Sequence, residues 1–382
     1  MATLAAGVCL MAPLASAQKT RLPRERVLDR GIELARDPAT GELEARPSTS
    51  SDAAEAPSDV PMIRARVELV QVGCTVIAAD GTQVRGLTRD DFRVLEDGVE
   101  QQIAAFDAAA TPASIALLLD DSPSIYRELG ETREAARSLA SSLGPDDEVA
   151  VAAFADQTHL LLPFSRDRTL LAAALASPAL KVVANSSQSF IYQAVYLTAR
   201  ELFRGRSGRK AIVLLTDGED SGLGLTWDPA SMKARAGAAS PLAFDDVARE
   251  LASQGIALYV ISTESRPRSM TDAWLAEHQG EPFITPEARR LGTPLYSLYL
   301  AEMVRQAGGD IYFLREMSGL AEVYRRIALA LGAEYTLGYY PTSGTARPGW
   351  RQLGVELQPG TSAVPAGARV THRAAYYVSA TP

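Results

Sequence analysis

Two cysteines and three histidines in 382 residues leave little room for disulfide or soft-metal chemistry. Cys9 lies in an apolar leader, and Cys74 stands alone in an apolar run, so a disulfide framework is excluded. No C-x-x-C pair occurs, and His159, His278 and His372 lack the spacing of zinc ligands. Basic charge is also short. The 38 Lys and Arg face 46 Asp and Glu, a net charge of −8, which argues against nucleic acid or an anionic membrane surface as partner. The one basic stretch, RGRSGRK at 204–210, reads first as a solvated loop between a helix and a strand. A G-x-x-x-x-G-K-[ST] phosphate loop and a G-x-S-x-G nucleophile elbow are both missing. No apolar run is long enough to predict a bilayer-spanning helix.

What the chain does have is continuous aliphatic runs that end in oxygen donors. ASIALLLDDSPS at 113–124 is apolar through Leu119, then gives Asp120, Ser122 and Ser124. An apolar run without alternation predicts a strand covered on both faces, as in the parallel sheet of an α/β domain. KAIVLLTDG at 210–218 makes the same statement and ends in Thr216 and Asp217. Between them, Ser186-Ser187-Gln188-Ser189 leads into a helical pattern over 191–202. In open α/β sheets ligands bind beyond the carboxyl ends of the strands, where these loops would meet. One or two carboxylates among hydroxyls are hard donors, suited to Mg²⁺ or Mn²⁺ rather than zinc.

Taken in order, residues 1–17 form a short apolar stretch ending in Ala15-Ser16-Ala17, an A-x-A pattern that predicts a signal peptide and export. Residues 18–62 are rich in Arg, Glu, Pro, Ser and Ala and predict a disordered linker, with a short helix over 24–36. Residues 63–111 read as β, with strands over 67–77, 92–96 and 101–106 and turns at Asp80-Gly81 and Asp97-Gly98. Alternating strands and helices over 112–333 predict a doubly wound, mostly parallel sheet. It carries two long loops, 221–240 and 264–294. Strands return at 335–340, 350–357 and 369–378. Neither terminal segment has enough strands for a sheet of its own, so 63–111 and 334–380 are expected to pair as a small β-sandwich with the α/β domain inserted.

The three loops together resemble the metal-ion-dependent adhesion site of von Willebrand factor type A domains. GLTRDDFRVLEDG, LLLDDSPS, LLTDGED, EVYRRIA and YTLGYYP resemble the secreted bacterial proteins called VWFA-related. The resemblance implies a Rossmann-like sheet and metal contacts from Asp120, Ser122, Ser124, Ser189 and Asp217. The family usually has Thr where Ser189 stands, and Gln193 occupies a place where many relatives carry Asp. It also implies a Mg²⁺ (or Mn²⁺) ion with one coordination position left for a carboxylate, Asp or Glu, of a partner protein. The expected function is thus an exported adhesion or protein-interaction module, not an enzyme. The competing reading is a Mg²⁺-dependent phosphoryl hydrolase or nucleotide-binding enzyme on the same sheet. A dehalogenase-type nucleophile pair would need Asp at 122, where Ser stands.

Overall fold

The computed structural model describes residues 22–36, 43–47, 69–80, 82–108, 112–121, 139, 141–177, 188–222, 225–228, 233–236, 241–263, 270–271, 274, 295–314, 316–332, 335–342, 349–359 and 364–378. The described chain opens on strand. β1 (Arg26–Val27) is followed by a hairpin of β2 (Ile32–Arg36) and β3 (Leu43–Pro47). For these residues the structure corrects the expected linker over 18–62 and the expected helix over 24–36. The cause is tertiary. Leu28 is buried in the α/β core, and Asp29 accepts from Thr158 N at 2.8 Å and Gln193 Nε2 at 2.9 Å. Ile32, Leu34 and Leu43 pack on the same core. Arg36 closes the arm, donating to the Pro241 carbonyl at 2.8 Å and to Asp246 at 2.6 Å.

The β-rich lead-in follows as β4 (Val70–Ile77), β5 (Phe92–Glu96), β6 (Val99–Gln101) and β7 (Ile103–Asp107). The α/β module then runs β8 (Ala113–Asp120), β9 (Glu148–Phe154), β10 (Thr158–Ser165), α1 (Arg168–Leu175) and α2 (Ile191–Leu197). α2 continues as a wider π-turn over Thr198–Leu202. Next come β11 (Arg209–Thr216), the paired strands β12 (Leu225–Asp228) and β13 (Lys233–Ala236), and α3 (Phe244–Gln254). The hairpin β12–β13 corrects the expected loop over 221–240. The module ends with β14 (Ile256–Ser262), α4 (Leu295–Ala307), β15 (Ile311–Phe313) and α5 (Leu320–Gly332). Most of the expected loop 264–294 lies outside the described residues.

The central sheet has the order β1-β10-β9-β8-β11-β14-β15. The strands from β9 to β15 are parallel, while β10 is antiparallel to β9 and β1 is antiparallel to β10. Every residue of β8 is buried, as its unbroken apolar run predicts. Leu118 and Leu214 face the side covered by α2, α3 and α4; Leu117 and Val213 face the side of α1 and α5. The doubly wound fold is thereby established.

The last strands are β16 (Tyr335–Tyr339), β17 (Gly349–Leu357), β18 (Arg369–His372) and β19 (Ala375–Val378). They join the lead-in as two facing sheets, β18-β4-β16-β7 and β19-β17-β5-β6. β16 lies between β4 and β7, so the segments before and after the α/β module build one core around Val72, Cys74, Val94, Leu337 and Val355. Inside it, buried Glu96 accepts from Tyr339 OH at 2.6 Å and Tyr376 OH at 2.8 Å. The single strand expected over 369–378 is split in two. At the corner, Arg373 donates to Ala252 O at 3.1 Å and to Gln71 O at 2.7 Å, and Ala374 N donates to Arg305 O at 3.0 Å. The chain crosses between sheets there because that corner is fastened to α3 and α4.

Candidate functional site

The strands on either side of β8 and β11 are laid down in opposite directions of growth, outward to β10 and outward to β15. The carboxyl ends of β8 and β11 are therefore the switch point of the sheet, the place where open α/β sheets bind ligands. β8 ends in Asp120 and β11 in Thr216, both buried. Asp120 Oδ2 accepts from Thr216 Oγ1 at 2.7 Å and from Ser189 Oγ at 3.2 Å. The Thr216 hydroxyl is itself a relay, accepting from Gly218 N at 3.0 Å. One carboxylate thus gathers hydroxyls from two different loops at the place where the sheet changes direction.

The other loops are built toward this point. Gly218 has φ 91° in the T-D-G turn, and a Cβ there would lie 3.2 Å from the Tyr296 ring and 3.3 Å from Leu300, so the turn requires glycine. Beyond it, Asp220 Oδ1 accepts from Tyr192 N at 3.3 Å in the first turn of α2. Ser221 N donates to Ser189 O at 2.7 Å, and Ser189 N donates to Ser221 Oγ at 3.2 Å. On its other side the Ser189 loop is held through Phe190 N, which donates to Ala155 O at 2.8 Å. Asp217 is half-buried, and its Oδ1 accepts from Glu219 N at 3.1 Å within its own turn.

Among the predicted ligands, the structure joins Asp120 and Ser189 by a hydrogen bond and sets Asp217 one residue beyond Thr216. Ser122 and Ser124 lie outside the described residues. Sequence reasoning missed Thr216, Asp220 and Ser221. All three stand in or just after the LLTDGED stretch, and the hydroxyl ending a buried strand was the available signal for Thr216. It also passed over Asp121. This residue continues β8, its N–H donating to Phe154 O at 2.8 Å, and its carboxyl is buried with neither oxygen hydrogen-bonded by a described residue. Burial, and secondarily the charge of Asp120, push the Asp121 carboxyl up to about 7.

Among the described residues no three His, Cys, Asp or Glu side chains form a metal-holding group, so a cation here would rely on hydroxyls beside the carboxylates. The donor set fits a hard divalent ion on two grounds. Its oxygens are carboxylate and hydroxyl only, and a buried carboxyl with no hydrogen-bond partner among the described residues stands next to Asp120.

Residues 114–281 match the family model of the von Willebrand factor type A domain. Among solved structures, an aerotolerance-related membrane protein from Bacteroides fragilis aligns at 17% identity, covering 56% of this chain and 98% of that one, with a TM-score of 0.38. The BatB protein of Bacteroides thetaiotaomicron aligns at 18% identity over 56% of this chain and 97% of its own, with a TM-score of 0.37. A von Willebrand factor type A protein from Catenulispora acidiphila covers 81% of this chain and 72% of its own at 13% identity, with a TM-score of 0.37. No curated protein matches the sequence. With its doubly wound sheet and its loops gathered at the switch point, the α/β module of this chain is a von Willebrand factor type A domain, a family of protein-interaction modules.

Proposed function

We propose that this chain is an exported interaction module that captures an Asp or Glu side chain of a partner protein through a divalent cation, Mg²⁺ or Mn²⁺. The observation that carries the reading is the Asp120 carboxylate collecting the Ser189 and Thr216 hydroxyls at the end of the parallel sheet. Asp120 and Asp217 supply charge; Ser122, Ser124 and Ser189 supply neutral oxygens. A bound divalent ion in such a set retains electrophilic character toward an incoming acid, because hydroxyls neutralise little of its charge. The chain's own part is to keep those oxygens in place. Thr216 and Ser189 orient Asp120, and Ser221 ties the Ser189 loop to the loop after β11. The arrangement assigns no nucleophile, which favours binding over phosphoryl transfer.

The test is metal-linked stability followed by partner capture. An ion at 100-fold over its Kd adds about 2.7 kcal/mol to stability. In a domain of this size that is a melting shift of roughly 5–10 °C. Mg²⁺ should produce the shift in the native protein and none in Asp120→Ala. A carboxylate-bearing partner from exported proteins should be retained with Mg²⁺ and released by EDTA. Absence of any Mg²⁺ or Mn²⁺ shift, or an equal shift in Asp120→Ala, would overturn the reading.

A further inference from the structure

At the opposite, amino end of the central sheet, the β-sandwich does not close flush on the α/β module. A cavity of about 500 Å³ separates them, and a second of about 920 Å³ adjoins it. On one side stand the starts of β11 and β14 and the Gly308–Gly309 turn before β15; on the other is the outer face of the sheet β18-β4-β16-β7. That outer face carries Gly73, Thr75, Thr336 and Gly338, side chains too small to fill the gap. Gly309 is obligatory at its place, since with φ 113° a Cβ would fall 2.2 Å from Leu258 O. Both the size and the position between two modules are those of small-molecule sites.

The charge of the cleft runs against that of the chain. Arg209, Lys210 and Arg373 line the first cavity, and Arg305, Arg326 and Arg369 line the second. Their acidic counterparts are Asp107, Asp245, Asp310 and Glu356. Asp310 lines both cavities; its Oδ1 accepts from Ile311 N at 2.9 Å, burial raises its carboxyl, and the charges of Arg369 and Arg326 oppose that rise. Three of the four cations in the basic stretch 204–210, expected as a solvated loop, are partly or fully buried. Arg206 pairs with Glu148 at 2.5 Å and lies 3.9 Å over the Phe164 ring, Arg209 is buried, and Lys210 is half-buried on the cavity. Of the four cations only Arg204 keeps a mostly exposed side chain, at 68%.

Lys210 is the decisive group. Its ammonium makes one hydrogen bond, to Arg206 O at 3.2 Å, and no ion pair with a described residue. Burial lowers it, and the charge of Arg373 lowers it further. Arg373 cannot swing away, because its guanidinium is bonded to Ala252 O and Gln71 O, and its backbone sits against Gly308. Two cations held beside one cavity repel, and a small oxyanion between them would turn that cost into charge-assisted hydrogen bonds.

We propose that this cleft binds a small multivalent oxyanion, a phosphate ester or a polycarboxylate, gripped by Lys210 and Arg373. The proposal does not depend on the metal site. The test titrates the full chain calorimetrically, near-physiological salt throughout, with pyrophosphate in one arm and citrate in the other. At least one should saturate with one site per chain, and the stronger arm identifies the source of the oxyanion. Lys210→Met should weaken that binding about tenfold or more, since one charge-assisted contact is lost. The same variant should melt higher than the native protein in the absence of anion, because the repulsion with Arg373 is gone. Lys210→Arg should keep most of the affinity, and Arg204→Gln should change nothing. Failure of both anions to saturate, unchanged affinity in Lys210→Met, or equal loss in Arg204→Gln would overturn the proposal.

Discussion

The two ends of the central sheet are built on opposite plans. At the carboxyl end, hydrogen bonds from neighbouring loops surround carboxylates: Asp120 with the Thr216 and Ser189 hydroxyls, Asp220 with the backbone of α2. At the amino end, cations face a gap spanned by a separate β-module. The first end is assembled from residues that stand next to strands in sequence. The second is assembled from segments before and after the α/β module, which meet as β4, β16 and β18. One sheet thus separates a locally made acidic site from a basic cleft made at long range. Local assembly should tolerate loss of the distant strands; long-range assembly should not.

The largest expected effect tests that difference directly. Deleting 334–382 removes β16 from between β4 and β7 and β17 from beside β5. Hydrogen-exchange protection should then collapse throughout 70–107, since the remaining strands cannot sustain a sheet alone. Strong protection surviving there would erase the contrast. A smaller effect should come from the carboxyl end. Thr216→Val takes from the buried Asp120 the shorter of its hydrogen bonds from Thr216 and Ser189, a loss of about 1–3 kcal/mol by denaturant unfolding. Loss from Ser189→Ala should be smaller, because its bond is longer. Equal effects from both would mean that the acidic site is not centred on Thr216.

The smallest effect belongs to the amino end and depends on pH. His372 joins the two sheets of the sandwich: its Nε2 accepts from Val355 N at 3.1 Å and its Nδ1 faces Arg373 O at 2.8 Å. Burial lowers its pKa below the usual 6.5, Arg373 adds to the lowering, and Arg373 O and Glu356 oppose it. The folded state therefore binds the proton less readily than the unfolded chain. Stability from this group is complete above about 6.5 and is lost as pH falls toward the depressed folded value. Urea midpoints should fall from about pH 7 to about pH 5, and His372→Gln should flatten that part of the curve. An unchanged slope in the variant would assign the acid sensitivity to another group.

Sequence reading succeeded where a residue's surroundings were set by its neighbours in the chain. Residues 115–119 and 211–215 are apolar without interruption, so a strand buried on both faces was the only economical reading, with Asp120 at the end of the first. The Asp97-Gly98 turn is equally local, with both residues at positive φ. The N-terminal arm was illegible for the opposite reason. Nothing near Arg26–Val27 predicts a strand; Leu28 and Asp29 acquire meaning only from Thr158 and Gln193, supplied by β10 and α2. The break at Arg373 was hidden in the same way, since its partners Ala252 and Gln71 come from α3 and β4. Thr216 was visible as a residue but not as a role, because a hydroxyl ending a strand also serves as an ordinary cap.

The root of the inserted module also fixes how the molecule would carry load. β7 hands the chain into the α/β domain and β16 receives it back, and the two are neighbours, with Thr336 opposite Asp107. A pull on anything held at the far end of the sheet would leave through both strands together, along their length and in the same direction. β16 would then have to slide past β4, where residues Tyr335 to Tyr339 face Cys74 to Val70 in unbroken antiparallel register. Bonds arranged crosswise to a sliding strand yield together, whereas bonds at a peeled end yield one by one. The ladder beside the insertion is therefore oriented as a shear joint, the geometry that suits an anchor for a tethered partner.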